Sequence, residues 1–200
     1  MVRVGQLLWR SLRFSYLHLT EILLISLLWF LCSIPIVTMP ASTCGVFYAI
    51  KDLSNERKAI KNFLAGFKLY FLNTLILGFI TVFLLLVILS SFWYYYNVRN
   101  LYSTIFFISQ VSVVSFIAFT QLYTLPLMVN YKPRYIECVK LSTLLVLSSI
   151  RYSLSVFLEV IFITTILLFS IVGLPLLYGI VCIFIEQCTV DLVERLESVK

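Results

Sequence analysis

Charge is scarce in this chain. Only 12% of its 200 residues are Asp, Glu, Lys or Arg, against ~25% in soluble domains. No charge falls between Glu21 and Lys51, between Lys68 and Arg99, or between Arg99 and Lys132, and Glu159 stands alone between Arg151 and Glu186. Such gaps exceed the ~18 uncharged residues that mark a membrane span. A soluble domain is excluded on this ground. Histidine occurs once, at His18, and reads as an ordinary interfacial residue. The five cysteines (Cys32, Cys44, Cys138, Cys182, Cys188) show no C-x-x-C spacing, so neither a disulfide framework nor a zinc site is expected. No G-x-x-x-x-G-K-[ST] loop is present, which excludes the ATPase of a transporter. Gly/Ser linkers, heptads and low-complexity tracts are missing too, and the chain reads as one integral membrane domain over 1–200. No clustered set of acids, bases or metal ligands stands out. The chain is therefore not expected to be an enzyme, to hold a cofactor, or to bind catalytic metal.

The residues present are mostly apolar: 62% are hydrophobic, with a net charge of +6. The basic excess fits the cytoplasmic loops of a multi-pass membrane protein better than a nucleic-acid surface. Residues 3–19 predict an amphipathic helix, with Arg3, Gln6, Arg10 and Arg13 on one face and Val4, Leu8, Leu12 and Leu19 on the other. A first span succeeds it, Ile22 to about Ile34, and halts at Pro35. Pro35 and Pro40 fix φ and bias the residues before them away from helix, so the elbow between them is expected to be extended. A short helix then starts after Pro40, with Ser42 or Thr43 as its cap.

Residues 57–68 predict a second amphipathic helix. Ile60, Phe63, Leu64 and Phe67 form its stripe; Arg57, Lys58, Lys61 and Lys68 flank it and are expected to bind anionic headgroups. The helix runs into a second span, Leu69 to about Trp93, whose "WYYYN" end reads as an aromatic belt. The third span, about Thr104 to Met128, carries Ser109, Ser112, Ser115 and Ala118, small residues at every third position that would let a neighbouring helix approach. Pro133 is placed to start the next helix, an interfacial one at 134–150. "VGLPLL" at 172–177 divides the long apolar stretch 152–190 into a fourth span, about 152–172, and a fifth, about 174–190. The expected fold is thus all-α: a polytopic membrane helix bundle of about five transmembrane helices with interfacial amphipathic helices. A loose echo, amphipathic helix then span, is seen in 57–96 and 134–172.

Positive residues concentrate in 51–68 and 132–151, which places those segments and the C terminus in the cytoplasm. Five spans would then put the N terminus outside, at odds with Arg3, Arg10 and Arg13. The alternative is that the elbow returns the chain without a full crossing. Glu159, Gln110 and Gln121 are the candidate intramembrane polar residues. A carboxylate within a span is costly; Glu159 is expected to sit protonated or to pair with Lys140 or Lys68 near the cytoplasmic boundary, with a transport or gating role and a partner-helix contact as the alternatives.

"LLWFLCSIPIVTMPAST", followed after Cys44 by "GVFYAIKDLSNERKAIKNFLAGFKLYFLNT", resembles the YesL-like family of small bacterial membrane proteins of unknown function. The matching positions are Pro35, Ile36, Val37 and Thr38, then Ala41, Tyr48 and Lys51, then Phe63, Phe67, Lys68 and Phe71. Met39 stands where that family usually has glycine. The resemblance is specific over about residues 20–75. It implies a plasma-membrane protein associated with oligosaccharide ABC uptake systems. On that basis the expected role is an accessory or assembly subunit for carbohydrate transport, with the lipid bilayer and possible transporter subunits as partners and no nucleic acid. The alternative is a small transporter or channel in its own right. The residues do not fix an oligomeric state.

Overall fold

The computed structural model describes residues 2–53, 56–98, 100–131, 135–169 and 173–198. Met1, Ser54, Asn55, Arg99, Lys132, Pro133, Arg134, residues 170–172 and 199–200, and the side chains of Val2, Arg3, Val4, Leu101, Tyr135 and residues 167–169, 173–176 and 196–198 lie outside the described residues. All described elements are helical. In chain order they are α1 (Val2–Leu17), α2 (Leu19–Cys32), a 3-10 turn (Ile36–Thr38), α3 (Met39–Ile50), α4 (Glu56–Asn97), α5 (Leu101–Tyr131), α6 (Tyr135–Ser148), α7 (Ile150–Phe169) and α8 (Gly173–Ser198). The all-α membrane bundle expected from composition is the fold observed.

The chain begins as a hairpin. α2 has 14 residues, about 21 Å at ~1.5 Å per residue, which is short of a ~30 Å hydrocarbon core. Its far end turns back through Pro35 into α3. The two arms are tied side to side: the Trp29 indole donates to Thr43 Oγ1 at 3.1 Å, and the Ser33 and Ser42 hydroxyls lie 2.6 Å apart. α3 then runs back along α4, with Val37 beside Gly78 near its start and Gly45 beside Phe63 further on. It ends at Lys51, whose ammonium donates to the Val129 carbonyl at 2.8 Å. The Ile22–Ile34 segment is therefore one arm of a helical hairpin whose other arm is α3; together with α1 it forms a bent pair whose length and composition suit either a broken span or a re-entrant loop.

Length and composition allow two described helices, α4 and α5, to cross a membrane, or up to four spans if the bent pairs α1–α2 and α6–α7 each count as one. The expected count is about five; among the described residues α8, which carries the expected fifth span at about 174–190, is not one of these candidates. α4 is continuous for 42 residues, so the amphipathic stretch at 57–68 does run directly into the span beyond it. α6 and α7, by contrast, meet at 102°. The echo between 57–96 and 134–172 is thus not matched in shape.

Packing explains where the core sits. The buried positions of α4 are Ala59, Phe63, Gly66, Tyr70, Thr74, Leu77 and Gly78, then none until Ser91. Their spacing of three and four makes one stripe, and α3 covers it. Above Gly78 the helix is largely exposed, as is the adjoining half of α5. α8 runs antiparallel to α2. The Gly179 amide donates to Ser26 Oγ at 2.8 Å, and Tyr178 stacks on Trp29 with ring centroids 3.6 Å apart. At the other end of α8, Ser11 of α1 donates to Gln187 Oε1 at 3.2 Å. Arg10, Lys51 and the start of α4 therefore share one end of the bundle, the basic end. Trp93, Tyr94 and Tyr96, at the end of α4 away from it, are 72%, 51% and 64% exposed.

Candidate functional site: the elbow and the polar layer at the basic end

The elbow is built from a short helical turn and two prolines. Pro35 is extended (φ −76°, ψ 112°), but Ile36–Thr38 form one 3-10 turn and Met39 is already helical (φ −54°, ψ −43°). The fully extended elbow expected from Pro40 is corrected accordingly. Proline lacks an N–H, and the first turn of a helix leaves that group unused, so Pro40 fits near the start of α3. The pre-proline bias at Met39 is overridden. Ser42 and Thr43 do not cap α3, which starts earlier; their hydroxyls lie inside the helix and donate to the Met39 carbonyl at 2.9 and 2.8 Å.

Thr38 closes the turn. Its hydroxyl lies 2.6 Å from the Cys32 carbonyl, which the end of α2 leaves free, and 2.7 Å from the Pro35 carbonyl, which also accepts the Thr38 amide at 2.9 Å. Irregular backbone at membrane depth requires such satisfaction. Thr38→Val, which keeps the shape and removes the proton, is expected to cost about 1–3 kcal/mol. Thr38→Ser should retain most of it. Thermal unfolding of the two purified variants in one detergent checks this, and equal melting of Thr38→Val and wild type would discard the role.

The elbow then docks on glycine. A Cβ built on Gly78 would lie 2.0 Å from the Val37 carbonyl oxygen; one on Gly66 would lie 2.5 Å from the Tyr48 Cβ and 3.2 Å from the Gly45 Cα. Backbone packs on backbone at Gly78, and the root of the Tyr48 side chain packs on Gly66. Of the elbow residues picked from sequence, Val37 and Thr38 make these contacts. Ile34 and Ile36 are 69% and 52% exposed.

At the basic end a polar layer closes the bundle. Glu186 of α8 is hydrogen-bonded by Asn130 and lies within Coulomb reach of Lys51. Beside it, between α1 and α8, a cavity of about 390 Å³ places Arg10 opposite Glu186, Asp191 and Glu194. Asp191 pairs with Arg195 at 2.7 Å, and the Arg195 guanidinium lies 4.8 Å from the Tyr152 ring centroid. Sequence patterning does not reveal this layer. Glu186 is the first charge after the long gap, and it reads as a span boundary unless its neighbours in space are known.

The intramembrane polar residues do not converge. Gln110 accepts a hydrogen bond from Ser91 and ties α5 to α4. Gln121 is half-buried on α5. Glu159 lies near Cys188 of α8, and its Oε2 is buried with no hydrogen-bond partner among the described residues. Arg57, Lys58, Lys61 and Lys68 all lie exposed along the first part of α4. Ser109 and Ser112 point outward and donate to carbonyls of their own helix at 2.8 and 2.9 Å, so the small-residue stripe expected to receive a helix faces away from the bundle. Among the described residues no group of three or more His, Cys, Asp or Glu is arranged to hold a metal ion.

These elements define an all-α membrane bundle organised around a helical hairpin. A family model described as "Protein of unknown function, DUF624" matches residues 22–92. No curated protein and no solved structure matches the chain. The matched stretch begins in α2, passes the elbow and α3, and ends near the top of α4. It is the hairpin together with the helix on which it docks.

Proposed function

We propose that this chain is a non-enzymatic accessory or assembly subunit of the bacterial plasma membrane, YesL-like in kind, that associates with the membrane subunits of an oligosaccharide ABC uptake system. The observation that carries the accessory role is the upper half of the α4–α5 pair. Beyond Gly78 these helices leave Phe79, Phe83, Leu86, Ile105 and Phe106 exposed, with the Ser109–Ser112 stripe on the same rod. Small residues let a foreign helix approach closely in lipid. The link to carbohydrate uptake rests on the resemblance in residues 20–75. On this reading the basic end faces the cytoplasm, because Arg10, Arg13, Lys51, Arg57, Lys58, Lys61 and Lys68 gather there. Both termini then lie inside.

Affinity purification in mild detergent tests the proposal. Stoichiometric recovery of identified oligosaccharide-permease subunits is expected. A protein recovered alone that supports solute flux in liposomes would sink it and favour the second reading, a small transporter. The buried Oε2 of Glu159, with no hydrogen-bond partner among the described residues, is the observation behind that alternative, and flux through such a transporter should fall in Glu159→Gln.

A further inference from the structure

The chain contains two L-shaped helix pairs. α1 meets α2 at 97°, and α6 meets α7 at 102°. In each, a short helix at the basic end precedes a helix that rises into the bundle. If the rising helices stand near the membrane normal, both feet lie in its plane. Each foot has an inner face packed on the bundle: Ser11 and Ser15 of α1, and Cys138, Ser142 and Leu145 of α6, are buried. Each also has an outer face with no cover among the described residues. On α1 it holds Trp9, 72% exposed, and Tyr16, 80% exposed, with Arg13 between them. On α6 it holds Leu144 and Leu147 with the exposed Lys140.

We infer that α1 and α6 are a pair of interfacial feet that bind anionic phospholipid in the leaflet at the basic end. Three features point to this occupant. Apolar side chains stand beside basic ones on one exposed face, as suits a helix sunk to the headgroup boundary. Trp and Tyr favour that boundary. The positive charge complements acidic headgroups. Arg10 is not included, because it turns toward the acidic cavity shared with Glu186 and Glu194. Glu137, also exposed on α6, offsets part of that foot's charge, so Arg13 and Lys140 carry the recognition. The α4 start differs from the feet, since it continues straight into its span.

Spin labels on the full chain in nanodiscs test the placement. Cys32 is replaced by serine, because the other four cysteines are buried. Labels then go on Trp9→Cys, Tyr16→Cys and Leu147→Cys, all at exposed positions. Collisions with oxygen are expected to exceed those with an aqueous nickel chelate at all three. A preference for the chelate would overturn the inference by placing the feet in water. In a second measurement, spin-labelled phosphatidylglycerol and phosphatidylcholine compete for the protein surface. Arg13→Gln with Lys140→Gln should lower the phosphatidylglycerol preference by at least about threefold. An unchanged preference would show that the feet do not read headgroup charge.

Discussion

Gly78→Ala is expected to be among the most damaging single-methyl changes in the chain. In an exposed helix the same change helps, by about 1 kcal/mol. At Gly5, where an added Cβ meets nothing within 4 Å, that gain should be visible. At Gly78 the new carbon would lie 2.0 Å from the Val37 carbonyl oxygen and 2.8 Å from its carbonyl carbon. Those are backbone atoms of a turn held by Thr38 and two prolines, so no side-chain rotation relieves the clash. Overpacking costs about 1–3 kcal/mol where neighbours can adjust, and the upper end is expected here. Gly66→Ala should be milder, because its closest contact, the Tyr48 Cβ at 2.5 Å, is less tight than the 2.0 Å at Gly78. Gly45→Ala, at 3.0 Å from the Phe63 carbonyl, should be milder again. With roughly 2–4 °C per kcal/mol for a chain of this size, melting in detergent ranks the series: Gly5→Ala at or above wild type, then Gly45→Ala, Gly66→Ala and Gly78→Ala. A Gly78→Ala protein that melts with wild type would show that the elbow does not dock there.

The second large effect is a switch in accessibility. In a Cys32→Ser background, Asn97→Cys should react with a membrane-impermeant maleimide on intact cells. Arg13→Cys and Lys61→Cys should react only after permeabilisation. A complete first crossing would put position 13 on the same side as position 97, so labelling of Arg13→Cys in intact cells would remove the re-entrant arrangement. The expected pattern rests on Arg10 and Lys51 both lying beside Glu186, which places α1 and the end of α3 at one level. It also removes the conflict between the N-terminal arginines and the basic loops.

Helix positions were legible because the apolar stripes and charge gaps are long. α4 is the clearest case: Phe63 and its neighbours mark the stripe, and the aromatic run from Trp93 marks its far limit. The direction of α3 was not legible. "STCGVFYA" is uncharged and helical whether it climbs or descends, since periodicity carries no sign along the membrane normal. One signal pointed to the return: Arg3, Arg10 and Arg13 on the wrong side of a five-span scheme. The small residues Ala41, Gly45 and Ala49, which face close contact with α4, become meaningful only once the packing is known. The 3-10 turn escaped because the bias at Met39 before Pro40 is statistical and yields to docking. The serine stripe on α5 misled for the opposite reason. Small residues permit a neighbour but do not supply one. The polar layer was invisible because Lys51, Asn130 and Glu186 lie far apart in sequence and meet only when three helices close together.

The hairpin also sets an order of events during synthesis. Leu19–Cys32 leaves the ribosome as an apolar segment that a translocation channel would accept as a span, yet it must turn back at Pro35. The surface that holds the turn is Gly78 on α4, which is made later. At ~5–20 residues per second the elbow waits some seconds with its apolar side chains and turn carbonyls uncovered. Over that interval Thr38, which satisfies the turn from within, and the Trp29–Thr43 and Ser33–Ser42 ties between the arms are the features that can keep the half-made hairpin from straightening into a through-going helix. The membrane orientation of everything downstream is decided before the contact that justifies it exists.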